Sequence, residues 1–229
     1  MGGKGGTGKS TFVTGLAEWY VENHIPFERL DLDTENKLKG SFCHFFPEGT
    51  RKIDIHTRVG LDALIDLADE APITLADMGS GSGKVSHAWF DSMYESISDT
   101  MSFTAFGLVT SDPASVESVL TWAELLQDRV SYVIVLNEHE NEFSPFTYWQ
   151  ETSEAEKFRE MFQPAIVHMA SRVPDLQHAL RNHGVTLTSV IKRKVSIPEL
   201  SKSSLIVRAR SYRKQLFSEF DRIKEVLLP

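Results

Sequence analysis

Apolar runs of strand length alternate along this chain with segments in which apolar residues recur at helical spacing. Residues 11–24 predict an amphipathic helix, because their apolar side chains recur at i, i+4, i+7 and i+8. The clearest continuous apolar run, 130–136, predicts a buried β-strand. Further strands are predicted over 27–33, 73–78, 101–110 and 165–169, and further helices over 61–68, 84–97, 113–126, 153–162, 175–182 and 204–227. This alternation is typical of βα units and predicts an α/β fold with a mostly parallel sheet, as one domain over residues 1–229.

Composition and charge narrow the class of protein. Cys43 is the only cysteine, so an intramolecular disulfide is excluded and a reducing, cytoplasmic setting is expected. No apolar run approaches the roughly 20 residues of a membrane span, so none is expected. The formal net charge is −8, but residues 192–229 carry ten Lys and Arg against four Asp and Glu. The rest of the chain is therefore strongly acidic, which disfavours nucleic-acid binding over its whole surface.

The first chemical motif lies directly ahead of the first predicted helix. Its residues are Gly3, Lys4, Gly5, Gly6, Thr7, Gly8, Lys9 and Ser10. They satisfy the pattern G-x-x-x-x-G-K-[ST], in which glycines let backbone N–H groups point at phosphates and the following helix adds its positive end. In such a P-loop Lys9 would contact the β- and γ-phosphates, and the Ser10 hydroxyl would bind Mg²⁺. The alternative is a glycine-rich tail without a ligand. We expect ATP and Mg²⁺ as cofactors, with the phosphates held by Gly5, Gly6, Thr7, Gly8, Lys9, Ser10 and Thr11.

The spacing of Lys4 from Lys9 resembles the deviant Walker A motif of the ParA/MinD family, which includes nitrogenase iron protein and the tail-anchored-protein targeting ATPases. The resemblance implies a three-layer P-loop NTPase and a nucleotide-sandwich dimer, in which Lys4 reaches the phosphates bound by the partner. There it would neutralise charge that develops during phosphoryl transfer, as an arginine finger does. The alternative is an ordinary solvated lysine.

A pair of acidic residues follows the second apolar run, in the sequence Asp31-Leu32-Asp33-Thr34-Glu35-Asn36. This stretch resembles the first switch of the same family, usually Asp-x-Asp-Pro-x-x-Asn, with Thr34 where the family often has proline. The resemblance implies that Asp33 positions the attacking water and is catalytic together with Lys4 and Lys9. It also implies that Asp31 is a supporting acid near the metal. The alternative for both is a helix cap.

The apolar run 73–78 ends in Asp77 and Gly79, the arrangement of a Walker B strand. Asp77 would hold Mg²⁺ through water, beside Ser10 and Asp31, and Gly79 would let the backbone respond to the γ-phosphate. The Gly-Ser run 79–83 has the composition of a second switch. The alternative is a plain linker between a strand and a helix.

Two later segments resemble the family's base-binding residues. Asn137 follows the strand predicted over 130–136, and its amide offers both the donor and the acceptor that the edge of adenine requires. Val173, Pro174 and Asp175 resemble the loop that closes over the base, so Asn137 and Pro174 are predicted to bind the nucleotide. Asn after a strand is also a common turn residue.

The resemblance also implies an apolar strand directly ahead of the P-loop, at the centre of the sheet. Only Met1 and Gly2 precede Gly3, so we expect this first strand to be missing from the sequence and the true start to lie upstream.

Taken with the resemblance, these motifs predict an ATP-dependent molecular switch that dimerises on ATP, is stimulated by an activating partner protein, and positions cargo. Plasmid partition and transfer of mobile elements are the leading settings. An ATP-dependent metabolic ligase, of the amidoligase or dethiobiotin-synthetase kind, is the alternative, and a nucleotide-free binding module is a third. The last predicted helix offers a surface for non-specific DNA through Arg208, Arg210, Arg213 and Lys214, although a solvated helix face is the alternative.

Overall fold

The structure, a computed structural model, describes residues 6–33, 39–68, 70–79, 83–138 and 146–229. Its strands are β1 (Glu28–Asp31), β2 (Thr50–Lys52), β3 (Thr74–Asp77), β4 (Thr104–Val109), β5 (Ser131–Asn137) and β6 (Ala165–Met169). Its α-helices are α1 (Lys9–Glu22), α2 (Phe42–Phe45), α3 (Arg58–Ala68), α4 (Gly83–Ile97), α5 (Pro113–Leu126), α6 (Thr147–Glu151), α7 (Ser153–Phe162), α8 (Pro174–His183), α9 (Leu187–Ile191), α10 (Ser203–Arg222) and α11 (Lys224–Leu227).

The strands form two parallel sheets of three strands each. The first sheet has the order β2-β1-β3, and the second has the order β4-β5-β6. In the first sheet Asp31 lies in register with Asp77, so two acidic residues are neighbours at the carboxyl edge. In the second sheet Asn137 is the last residue of its strand, in register with Met169. Within the described residues β3 and β4 are not paired with each other.

The two sheets share the layers of helices that cover them. On β5, Val133 and Val135 join a core with α1 and α10, whereas Ile134 joins a second core with α4, α5 and α7. This alternation puts the two cores on opposite faces of the second sheet. Leu75 of β3 and Leu108 of β4 lie in the same core as α1, so α1 packs on both sheets. The predicted α/β architecture with parallel strands is therefore confirmed.

The predicted helices and strands are found within a few residues of their expected bounds. Asp112 caps α5 as expected, its Oδ1 accepting a hydrogen bond from the Ala114 N–H at 2.9 Å. Gly184 ends α8 in the left-handed conformation, with φ of 59°. The helix predicted over 204–227 is interrupted at Ile223, which separates α10 from α11. The sequence did not predict α2, β2, α6 and α9, because three to five residues are too few to show a period. None of the described helices combines the length and apolar character that crossing a membrane requires.

Candidate functional site

The described part of the predicted P-loop, residues 6–8, lies at the amino end of α1. Gly6 and Gly8 have φ of 79° and 94°, a conformation that L side chains rarely adopt. Gly8 is the N-cap, and Lys9 and Ser10 begin the helix, so its free N–H groups and positive end face the loop. Lys4 and Gly5, for which a catalytic and a phosphate-binding role are predicted, lie outside the described residues with Gly3.

The side chain of Asn137 is hydrogen-bonded to this loop. Its Nδ2 donates a hydrogen bond to the carbonyl oxygen of Thr7 at 2.8 Å, and the Asn137 side chain is buried. A Cβ at position 8 would lie 2.6 Å from the same Nδ2, so only glycine fits there. Asn137 therefore has a structural role at the loop that the sequence did not predict, and its base-binding role stays a prediction.

Three carboxylates gather at the carboxyl edge of the first sheet, next to this loop. Asp31, Asp33 and Asp77 are all buried. Burial, reinforced by Asp31 and Asp33, raises the pKa of Asp77 to about 7, although a hydrogen bond from Ser10 and the charge of Lys9 act in the opposite direction. The Oδ2 atom of Asp77 has no hydrogen-bond partner in the described part of the chain. A buried, unpartnered carboxylate oxygen beside a lysine and a serine is suited to receive a cation.

Asp31 is held differently from Asp77. Its Oδ1 accepts the backbone N–H of Asp33 at 3.1 Å, and its Oδ2 accepts the backbone N–H of Cys43 at 3.0 Å. Asp31 thus orders the chain after β1 and anchors α2, while its predicted metal role stays a prediction. Burial, together with the charge of Asp31, raises the pKa of the Cys43 thiol to about 11.

The two predicted switches touch each other at Asp33 and Gly79. A Cβ at Gly79 would lie 2.8 Å from Asp33 Oδ1 and 3.1 Å from its Cα, so the approach requires glycine. The residues that follow in each switch, Thr34, Glu35 and Asn36 in the first and Ser80, Gly81 and Ser82 in the second, lie outside the described residues.

The predicted base loop begins α8 at the edge of the second sheet. Val173 is the N-cap of α8, and Pro174 is its first residue. The guanidinium of Arg172, just ahead of them, lies 5.1 Å from the centre of the Tyr212 ring. Thr11, which is predicted to bind phosphate, lines a cavity of about 20 Å³ together with Arg172 and Tyr212.

Glu18 also lines this cavity, and the sequence did not predict its importance. Its Oε1 accepts the N–H of Thr188 at 2.6 Å, and its buried Oε2 has no partner among the residues the structure describes. Burial raises the pKa of Glu18. The signal in the sequence was a charged residue within the mostly apolar first helix. The structure shows that every residue from 12 to 20 is buried.

The donor set fits Mg²⁺ held together with phosphate oxygens better than Mg²⁺ held by protein alone. In the described ranges, no three His, Cys, Asp or Glu side chains form a group that could hold a metal ion. Mg²⁺ at phosphate sites usually takes one or two protein ligands, the remaining positions being filled by water and substrate. The Ser10 hydroxyl and the Asp77 carboxylate, already hydrogen-bonded to each other, supply that set.

Comparisons with known proteins add no assignment. No family model matches the chain, and no curated protein matches it at a significant level.

Proposed function

We propose that the chain is an Mg²⁺-dependent ATPase of the ParA/MinD type, with the three-layer P-loop fold. The observation that carries the proposal is the convergence of Lys9, Ser10 and Asp77 at the amino end of α1. A glycine loop, a lysine, a hydroxyl and a buried carboxylate are what binding of a nucleoside triphosphate with Mg²⁺ requires.

The described residues would divide the chemistry as follows. Mg²⁺, when bound, neutralises charge on the phosphates, and Ser10 and Asp77 would hold it. Lys9 would contact the β- and γ-phosphates. Asp33, buried and resting on Gly79, would orient the attacking water. Asp31 would keep Asp33 in place through the hydrogen bond to its backbone N–H. In phosphoryl transfer, positioning and charge supply most of the catalysis.

The cellular role belongs to the same proposal. An ATP-driven dimer, with Lys4 acting across its interface, would serve as a switch that an activating protein resets. DNA is the proposed cargo, because Arg208, Arg210 and Lys214 are exposed on α10 and form no ion pair with other described residues. Arg213 differs from these three, since it pairs with Glu22 at 3.1 Å and stacks on Phe217.

Calorimetry with Mg²⁺ and ATP tests the proposal. Wild type should bind, and Lys9→Ala should lose at least about a hundredfold in affinity, because charge-assisted contacts to phosphate are strong. Lys157→Ala, which removes an exposed lysine on α7, is the matched control and should bind like wild type. Unchanged ATP affinity in Lys9→Ala would refute the assignment.

A further inference from the structure

The segment 40–45, which contains α2, is attached to the rest of the molecule at two places. One attachment is the hydrogen bond from the Cys43 N–H to Asp31 Oδ2, at 3.0 Å. The other is the contact between His44 Nε2 and the carbonyl oxygen of Arg181, at 3.0 Å. Because a carbonyl oxygen only accepts, Nε2 must carry the proton and donate it. Two adjacent residues of α2 therefore connect the end of β1 to the last turn of α8.

The attachment to α8 is specific in its geometry. The last carbonyl groups of a helix lack partners within the helix, and His44 supplies one to Arg181. At Gly184, whose φ is 59°, a Cβ would lie 2.4 Å from the His44 carbonyl oxygen and 2.8 Å from its ring. A Cβ at Gly40 would lie 2.9 Å from Arg181 Nε. Glycines at both positions let the segment lie close against α8.

The opposite end of α8 begins at Pro174, in the predicted base loop. A helix of 10 residues is a rigid rod of about 15 Å, so its two ends move together. A continuous series of contacts thus runs from Pro174 along α8 to His44, then through Cys43 to Asp31, which holds the backbone of Asp33.

We infer that His44 is a positioning residue, which couples the loop at Pro174 to the acids Asp31 and Asp33. The inference rests on the proposed function. A base bound at Pro174 would restrain α8, and α8 restrains α2 through His44, so that Asp33 is held more firmly when a complete nucleotide is bound. A nucleotide would therefore be hydrolysed faster than inorganic tripolyphosphate, which lacks a base.

The first experiment needs no nucleotide. Cys43, the only cysteine in the chain, is a partly buried native reporter on α2, and its labelling by an aromatic disulfide should become faster when α2 opens more often. His44→Ala and His44→Asn should speed labelling about three- to tenfold, the range expected for loss of one hydrogen bond. His44→Gln, whose amide nitrogen can take the place of Nε2, should stay close to wild type. His178→Ala, an exposed histidine on α8, is the control.

The second experiment compares kcat and KM for ATP and for tripolyphosphate. His44→Ala should lower kcat for ATP about three- to tenfold, with KM nearly unchanged and tripolyphosphate turnover unaffected. His44→Gln should restore the ATP value. Unaltered labelling in His44→Ala, or an equal loss with both substrates, would overturn the coupling while leaving the ATPase proposal intact. Failure of the wild type to bind ATP would overturn both, so the two failures are distinguishable.

Discussion

The two sheets of this molecule differ in what they bury. The first sheet has strands of four, three and four residues, and it contributes to a cluster of six buried apolar side chains that is separate from the core around α1. The buried carboxylates Asp31, Asp33 and Asp77 lie at or just beyond its carboxyl edge. The second sheet has strands of six, seven and five residues, and β5 is apolar and buried from Tyr132 to Leu136. At its carboxyl edge β5 ends in the buried amide Asn137, which is hydrogen-bonded to Thr7 in the loop before α1.

This difference has an energetic consequence for the first sheet. Buried carboxylates are unfavourable unless hydrogen bonds or cations compensate them. Asp31 is compensated by two backbone N–H groups, whereas the buried Oδ2 atom of Asp77 has no hydrogen-bond partner among the described residues, and burial raises the pKa of Asp77. The first sheet therefore buries carboxylates at a cost in stability.

The largest expected effect is on stability, in the second sheet. Ile134→Ala removes a fully buried side chain from β5 and should lower the free energy of unfolding by about 2–5 kcal/mol. The affinity for ATP should hardly change, because Ile134 faces the core away from α1. Urea denaturation and calorimetry measure the two quantities.

Leu30→Ala is the matched variant in the first sheet, since Leu30 is also fully buried and precedes Asp31. This variant should lose comparable stability and should also bind ATP more weakly, because Leu30 belongs to β1, the strand that positions Asp31 and Asp33. Equal losses of ATP affinity in both variants would refute the division between the sheets.

The next effect is on turnover, in the first sheet. Asp33→Ala should leave ATP bound within a few fold, slow hydrolysis by about a hundredfold, and accumulate the dimer, because it removes a group that acts mainly in the transition state. Steady-state kinetics and light scattering measure these outcomes. Asp66→Ala, an exposed acid on α3, should behave like wild type. Normal turnover in Asp33→Ala, or a protein that stays monomeric with ATP, would contradict the assignment.

The extent to which sequence predicts these regions follows from the range of the contacts. All the strands except β2 were predictable because the apolar runs that form them are local features, whereas their division into two sheets was not predicted. The acidic residues were also predictable, since they follow apolar runs. The hydrogen-bond partners of buried polar residues were not predictable, because they are far apart in sequence. Asn137 and Thr7 are separated by 130 residues, and Glu18 and Thr188 by 170. β2 escaped prediction because it is a short, polar edge strand of Thr50, Arg51 and Lys52, whose side chains do not alternate.

A smaller effect concerns pH and the charge on Asp77. Folding raises its pKa from 3.8 to about 7, so the folded protein binds more protons than the unfolded chain between these values. The contribution of Asp77 to stability is therefore complete below its unfolded pKa and is lost as the pH rises through about 7. Between about pH 5 and pH 8, metal-free wild type should lose about 2 kcal/mol more stability than Asp77→Asn.

Urea denaturation in a chelating buffer at several pH values measures this difference. Glu18 also has a raised pKa, but it is present in both proteins, so the difference between the two curves isolates Asp77. If the stability of wild type and of Asp77→Asn changed in parallel with pH, the destabilising charge assigned to Asp77 would be contradicted.

The smallest expected effect per substituted residue is on DNA affinity. It tests whether DNA binds to α10, which packs on the second sheet. α10 is tied to β6, since Glu219 accepts the N–H of His168 at 2.8 Å. If ATP-driven dimerisation doubles the exposed cations of α10, DNA affinity should rise with ATP and fall steeply with salt. Replacing Arg208, Arg210 and Lys214 by alanine should cost roughly half a decade in affinity per contact and flatten the salt dependence. Arg213→Ala, which breaks the pair with Glu22, should lower stability and leave the salt dependence unchanged.

Filter binding at two salt concentrations, with and without ATP, measures the DNA affinity of wild type, the triple variant and Arg213→Ala. Equal retention with and without ATP, or none at low salt, would exclude DNA as the cargo and favour a protein.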